Sequence, residues 1–343
     1  MLSRNQKIAL YMEGALDDLS GKMGFGVLRY SRNPVVCVID SRFAGQDVTD
    51  VTRIPRRCPV VDSVESAVLL GAEVLVLGTA PSGGLIPQEW LPAIDSAVQS
   101  GLCIVNGLHD LLGTRYRDLQ QGQWVWDIRL EPSGLGVGTA AASKLSNRRV
   151  LMVGTDMAVG KMTAGLELFV AAQRNGVSAE FIATGQVGIT IMGSGVPLDA
   201  VRIDYACGAI EQQVMNVRDA ELIIVEGQGS LIHPGSSANL PLLRGSCPTH
   251  LILCHRAGQE TLYRVPSIRI PPLNIFLKMY EDLADACGTF PRPRTVGVAL
   301  NSGHLSAEEY KFWKNKTTLD VGLPVVDVVR EGADRLLEAV MQN

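Results

Sequence analysis

Short, unbroken apolar runs recur along the chain, each followed by a glycine- or proline-marked turn. In the first third these are Ile8–Tyr11, Val35–Ile39, Val74–Leu77 and Leu102–Val105. Between them lie segments of helical pattern. Gly21–Arg29 starts glycine-rich and turns helical, Ser63–Leu70 has Ser63 as its cap, and Pro87–Ser100 has proline near its start. A strand covered on one face alternates apolar and polar residues, whereas one covered on both faces is apolar throughout. Continuous strands alternating with helices therefore predict a parallel, doubly wound, Rossmann-like domain over residues 1–115.

Residues 116–148 break the rhythm with turn-rich stretches such as Gln120–Gln123 and Pro132–Gly138, which read as a connection between domains. Trp124 and Trp126 fall in it and suit a domain junction better than ligand stacking. The strand-helix pattern resumes near Val150 and continues through Ala179–Ala183, Leu222–Val225, His250–Cys254 and Val296–Leu300. A late run, Leu323–Val329, adds one more strand before a closing helix near Gly332–Met341. The expected fold class is α/β: two doubly wound parallel-sheet domains, Rossmann-like followed by P-loop NTPase-like, the second spanning 149–343.

Candidate chemistry concentrates in that second domain. The apolar run from Val150 feeds Gly154-Thr155-Asp156-Met157-Ala158-Val159-Gly160-Lys161-Met162-Thr163, and a helical segment, Ala164–Arg174, follows. Strand, glycine-bounded loop, Gly-Lys and helix in that order are the grammar of a phosphate-binding loop. Backbone amides and the helix start favour phosphate oxygens, and the lysine adds a point charge. Two departures stand out: five residues separate the glycines instead of four, and Met162 replaces the usual Ser or Thr. A thioether is no ligand for Mg²⁺, which takes oxygen donors.

Four further features fit one nucleotide-like site. Glu226, with Gly227 and Gly229 behind it, ends a strand where open parallel sheets bind ligands, and it faces phosphates directly or through Mg²⁺. Asn301 ends another strand and serves either an adenine edge or its own turn. Thr184 and Gln186 sit in a glycine loop that either touches phosphate and substrate or acts as a lid. His233, seven residues beyond Glu226, is a candidate general base or a histidine satisfied by backbone; His109 closes a strand of the first domain with the same ambiguity.

Composition narrows the class. Hydrophobic residues make up 46% of 343, ample core for about two domains. Net charge is −4, so no basic field favours nucleic acid, and no apolar run reaches the roughly 18 residues that cross a bilayer. The first residues do not read as a secretory signal. The seven cysteines lack a CxxC pair and several lie in apolar runs, which suits buried reduced thiols in a cytoplasmic protein. The expectation is a homo-oligomer acting on a small-molecule substrate, with neither nucleic acid nor membrane as partner.

The run Gly154–Thr163 resembles the loop of dethiobiotin synthetase and its relatives, which share the five-residue spacing and a strand end like Val225-Glu226-Gly227 but carry Thr where Met162 stands. More extensively, the chain resembles the D-glutamate N-acetyltransferase family. The likeness rests on Gly26–Ser31 before Val35–Asp40, on the Gly-Lys-Met-Thr form of the loop, on Ala183–Gln186, on Gly195–Asp204 and on Val225–Ser230. It implies transfer of acetyl from acetyl-CoA to the amine of D-glutamate, with the loop holding CoA phosphates. The region Val74–Gly84 is also loosely similar to the CoA-binding domain of succinyl-CoA synthetase. Under that reading Glu226 or His233 is the base, amides around Gly227–Ser230 hold the oxyanion, and Arg202, Arg244 or Arg256 receives carboxylate. The alternatives are an enzyme that uses ATP with Mg²⁺ to activate a carboxylate, and a nucleotide-sensing protein without turnover.

Overall fold

The computed structural model describes residues 2–81 and 83–342, so Ser82 of the Gly78–Gly84 loop lies outside the described residues. The chain forms two compact units. The first runs to Glu131 and takes in Gln186–Ala200; the second comprises Pro132–Gly185 and the chain from Val201 onward.

In the first unit the strands are β1 (Ile8–Tyr11), β2 (Val35–Ile39), β3 (Val60–Val61), β4 (Val74–Leu77), β5 (Cys103–Asn106) and β6 (Val125–Asp127). They form a parallel sheet in the order β3-β2-β1-β4-β5-β6. Every residue of β1, β4 and β5 is buried, as continuous apolar strands require. The helices are α1 (Lys22–Tyr30), α2 (Val48–Thr52), α3 (Val64–Leu69) and α4 (Leu91–Gln99). Ser63 caps α3, its hydroxyl accepting the Ser66 amide. The segment read as helical from Pro87 enters through a 3-10 turn, and α4 begins only at Leu91 with Pro92 in its first turn. Within 116–148, β6 pairs with β5 and completes the sheet.

The second unit starts with β7 (Arg148–Gly154), α5 (Lys161–Arg174) and β8 (Ala179–Ile182). The chain then enters the first unit as α6 (Gln186–Met192), which packs on α1. Back in the second unit follow α7 (Ile203–Asn216), β9 (Leu222–Val225), α8 (Asn239–Ser246) and β10 (His250–Arg256). A hairpin of β11 (Thr261–Leu262) and β12 (Val265–Arg269) precedes α9 (Leu273–Asp285), β13 (Arg294–Asn301) and α10 (Ala307–Val321). The chain closes with β14 (Val325–Val326), α11 (Val328–Glu331) and α12 (Asp334–Gln342). The sheet order is β14-β13-β10-β7-β9-β8, all parallel. The expected strand over Leu323–Val329 shrinks to two residues, because Asp327 caps α11 by accepting the amides of Val329 and Arg330.

One buried cation anchors the start of β7. Arg149 is 1% exposed, and its guanidinium donates to the carbonyls of Leu145, Asn147, Ser246 and Cys247 at 2.9–3.1 Å. The last two carbonyls close α8, where the helix dipole favours a cation. This fixes where the strand that carries the loop begins. No helix among the described residues is long and apolar enough to cross a membrane.

Candidate functional site: a phosphate-binding loop

Strand β7 ends at Gly154, and the chain turns through 155–160 into α5. The turn uses two left-handed residues, Ala158 (φ 56°) and Gly160 (φ 102°). Gly160 meets that conformation without a Cβ clash, and Ala158 holds it at some strain. The longer-than-usual loop thus folds back so that Lys161, the first residue of α5, reaches across it. Lys161 Nζ donates to the Asp156 carbonyl at 2.8 Å. The lysine is 7% exposed, and burial pushes its ammonium down to about 8.

The loop is also held by its neighbours. Thr155 N donates to the Cys254 carbonyl (3.1 Å), and Thr155 Oγ1 is hydrogen-bonded to His255 Nδ1 (2.9 Å). Burial drives that imidazole down to about 4, so it is neutral at physiological pH. Asp156 Oδ1 accepts the Met157 amide within the loop (2.6 Å). Its Oδ2 accepts Gln259 Nε2 (2.6 Å) and the Tyr263 amide (2.8 Å), tying the β11–β12 hairpin to the loop. Ser230 Oγ donates to the Thr155 carbonyl (3.1 Å). The Tyr280 hydroxyl donates to Asn239 Oδ1 (2.9 Å) and accepts the Leu231 amide (3.2 Å), bracing the turn after β9. Met162 and Thr163 lie half-buried in the first turn of α5.

Glu226, one residue past β9, is buried at 3% exposure. Its Oε2 accepts the amides of Thr184 (2.8 Å) and Gly185 (3.1 Å), while Thr184 Oγ1 donates to the Glu226 carbonyl (2.9 Å). Desolvation raises the carboxyl to about 7, opposed by those amides and by the charge of Lys161. Gly227 is obligatory: a Cβ there would stand 1.6 Å from the Met152 carbonyl oxygen and 3.1 Å from Lys161 Cδ. Asn301, at the end of β13, donates to the Val159 carbonyl (3.4 Å) and borders Gly160.

Thus Gly154, Thr155, Asp156, Gly160, Lys161, Glu226, Gly227, Thr184 and Asn301 share the C-terminal edge of the second sheet. Gln186 directly follows Gly185 and opens α6, which belongs to the first unit. His233 is buried, and its Nδ1 accepts the Gly235 amide (3.1 Å). Arg202 lies exposed at the start of α7 with its guanidinium 4.9 Å over the Tyr205 ring. Arg244 caps the end of α9 by donating to the Leu283 and Ala284 carbonyls. In the first unit His109 Nε2 lies 2.9 Å from Arg129, which also pairs with Asp199.

Comparison with known proteins agrees with this architecture. The family described as a domain of unknown function, DUF1611_C P-loop domain, matches residues 136–337, and its companion DUF1611_N Rossmann-like domain matches 41–131. The chain belongs to the DUF1611 family. A crystal structure of a DUF1611 family protein from Anabaena variabilis superposes with a TM-score of 0.94 at 48% identity, covering 99% of this chain and 100% of that one. Among curated relatives, a protein from Tritonibacter scottomollicae named D-glutamate N-acetyltransferase is 34% identical over 339 residues, 96% of this chain and 97% of its own. One of the same name from Pseudoalteromonas is 36% identical over 281 residues, 80% and 83%. The family's two domains are thus the two parallel-sheet α/β units, Rossmann-like and P-loop, expected from the strand pattern.

Three residues that build the site are not singled out by the sequence reading. His255, Gln259 and Tyr280 reach the loop through sheet order and long-range packing. For His255 one clue existed: it extends the apolar run of β10, next to the position that pairs with Gly154.

Proposed function

We propose that this protein is an acyl-CoA-dependent N-acetyltransferase acting on an acidic amino acid such as D-glutamate, with the P-loop holding phosphates of the carrier. The observation that carries the reading is full-length likeness to relatives of that name, joined to a loop whose buried Lys161 is set to meet anionic oxygens. The metal-dependent alternative fits the donor set poorly. The residue after Lys161 offers sulfur, the Glu226 Oε2 is engaged by two amides, and no group of three or more His, Cys, Asp or Glu is placed to hold a metal ion among the described residues.

The chemistry needs one proton removed from the substrate ammonium. The freed amine then attacks the thioester carbonyl, the new C–N bond forms, the C–S bond breaks, and the amine's second proton ends on the departing thiolate. Glu226, raised to about 7, has the proton affinity a base needs near neutral pH. His233 suits a different role: with Nδ1 accepting the Gly235 amide, Nε2 is the ring nitrogen left to donate. That makes it a partner for the developing oxyanion. Thr184 and the loop residues Gly154–Thr163 line the ligand side of this reading, and Asn301 contacts the carrier beside Gly160. Arg202 is the proposed receiver of substrate carboxylate.

The test is thiol release from acetyl-CoA with D-glutamate in the absence of ATP. Lys161→Ala should raise the KM for acetyl-CoA at least tenfold, the loss of about 1.4 kcal/mol expected for one charge-assisted contact. No thiol release with any acidic amino acid refutes the reading. ADP formation with Mg²⁺ and ATP would turn it into the carboxylate-activating alternative, and tight ATP or CoA binding without product into the sensor.

A further inference from the structure

Behind the loop, in the same unit, lies a cleft of about 520 Å³ between the β11–β12 hairpin and α10. Two of its lining residues are the ones that brace the loop: His255, bonded to Thr155, and Gln259, bonded to Asp156. Trp313, Lys316, Thr317 and Asp320 line it from one face of α10, and Ile270, Pro271 and Pro272 line it from the segment after β12. The indole is held in place. A Cβ on Gly258 would stand 3.2 Å from Trp313 Cζ2, and Lys316 Nζ rests 4.6 Å from the ring centre. Arg269 and Glu260 at the rim pair with each other at 3.6 Å, and Asp320 completes the charged side.

We infer that this cleft receives the 3′-phosphoadenosine end of coenzyme A, while the loop holds its pyrophosphate; the inference rests on the carrier assigned above. Size favours it: an amino acid of about ten heavy atoms leaves most of the cleft empty, whereas nucleotide-sized ligands occupy clefts of roughly 300–1,000 Å³. Chemistry favours it too. A purine is a flat apolar plate with polar edges, matching the indole of Trp313 and the Pro271 and Pro272 rings for its faces and the amide and hydroxyl of Gln259 and Thr317 for its edges. Lys316 now covers the indole face. Base and ammonium both favour that face, so an arriving purine displaces the lysine towards the 3′-phosphate. Because Gln259 also holds Asp156, filling the cleft stiffens the loop where the pyrophosphate sits.

The experiment compares acetyl-CoA with acetyl-3′-dephospho-CoA as donors, and measures 3′,5′-ADP binding by calorimetry, for the unaltered protein and the variants Trp313→Ala, Trp313→Phe and Lys316→Ala. Expected are an approximately tenfold higher KM for both donors in Trp313→Ala, with recovery in Trp313→Phe. Lys316→Ala should erase the preference for the 3′-phosphorylated donor, and 3′,5′-ADP binding should weaken in parallel. The KM for the amino acid should stay within twofold. If acetyl transfer proceeds normally yet neither donor KM nor 3′,5′-ADP affinity responds, the assignment of the cleft is overturned. A rise in the amino-acid KM alone also overturns it, making the cleft the acceptor site. If the unaltered protein transfers no acetyl group but binds 3′,5′-ADP in a Trp313-dependent way, the proposed reaction fails and the cleft assignment stands.

Discussion

Replacing Glu226 with Gln should make the protein more stable above neutral pH and less active. Folding raises this carboxyl from its ordinary 4.5 to about 7, chiefly by desolvation. Between those two values the folded chain holds a proton that the unfolded chain releases. Stability therefore falls as pH rises through this window, and the full penalty is in place above about 7. The shift of 7 − 4.5 = 2.5 corresponds to about 3 kcal/mol. Glutamine keeps an oxygen that can accept the Thr184 and Gly185 amides and carries no charge to desolvate. Lys161 reduces the gain, because the buried ammonium loses an opposite charge; 3 kcal/mol is an upper bound.

The assay is thermal unfolding of both proteins from pH 5 to pH 9. At pH 5 the midpoints should differ little, since only about 1 kcal/mol of the penalty is in place there. By pH 8 the Gln variant should unfold higher by up to about 6–12 °C, the shift that ~3 kcal/mol gives in a unit of this size class. Acetyl transfer should fall at least a hundredfold, the order of a positioned base. A midpoint difference that stays flat across the pH range, or a variant less stable at pH 8, would refute the account of a costly buried carboxylate. Full activity in the variant would leave Glu226 as a brace for the Thr184–Gly185 turn and remove it as the base.

Three further changes probe the frame around the site. Gly227→Ala puts a methyl 1.6 Å from the Met152 carbonyl oxygen and should cost about 3 kcal/mol or more in urea unfolding, so a loss below about 1 kcal/mol would contradict the packing described. Arg149→Leu removes the donor shared by four carbonyl groups and should destabilise the second unit by roughly 3–5 kcal/mol, with full stability the contrary result. Asp156→Ala cuts both bonds that hold the β11–β12 hairpin, so trypsin should cut after Arg264 markedly faster, and an unchanged cleavage rate would mean the hairpin is held by other contacts.

What the chain order reveals about this fold depends on how far apart the partners are. The long inner strands are legible because burial on both faces demands unbroken apolar runs, and the loop is legible because its glycines, lysine and helix are contiguous. The short edge strands are not: β6 has three half-buried residues, and nothing local in Val125-Trp126-Asp127 requires a strand until β5 is beside it. The run Leu323–Val329 looks like a strand at every apolar position, and only the cap formed by Asp327 ends it after two residues. Ala183–Ile189 reads as a glycine loop, but from Gln186 the chain forms α6 in the first unit, with Ile189 and Ile191 buried.

Glu226 joins these two cases. Its place at a strand end follows from the apolar run before it. Its chemistry follows from burial, opposed by two amides 41 and 42 positions away and by the lysine that opens α5, which together decide whether the carboxylate is charged. A carboxylate at a strand end open to solvent would keep an ordinary proton affinity and make a poor base near neutral pH. The same residue, desolvated more strongly than the Thr184 and Gly185 amides and Lys161 can offset, gains a proton affinity near neutrality. In the proposed reaction folding therefore supplies the base, and the cost is the destabilisation that Glu226→Gln should relieve.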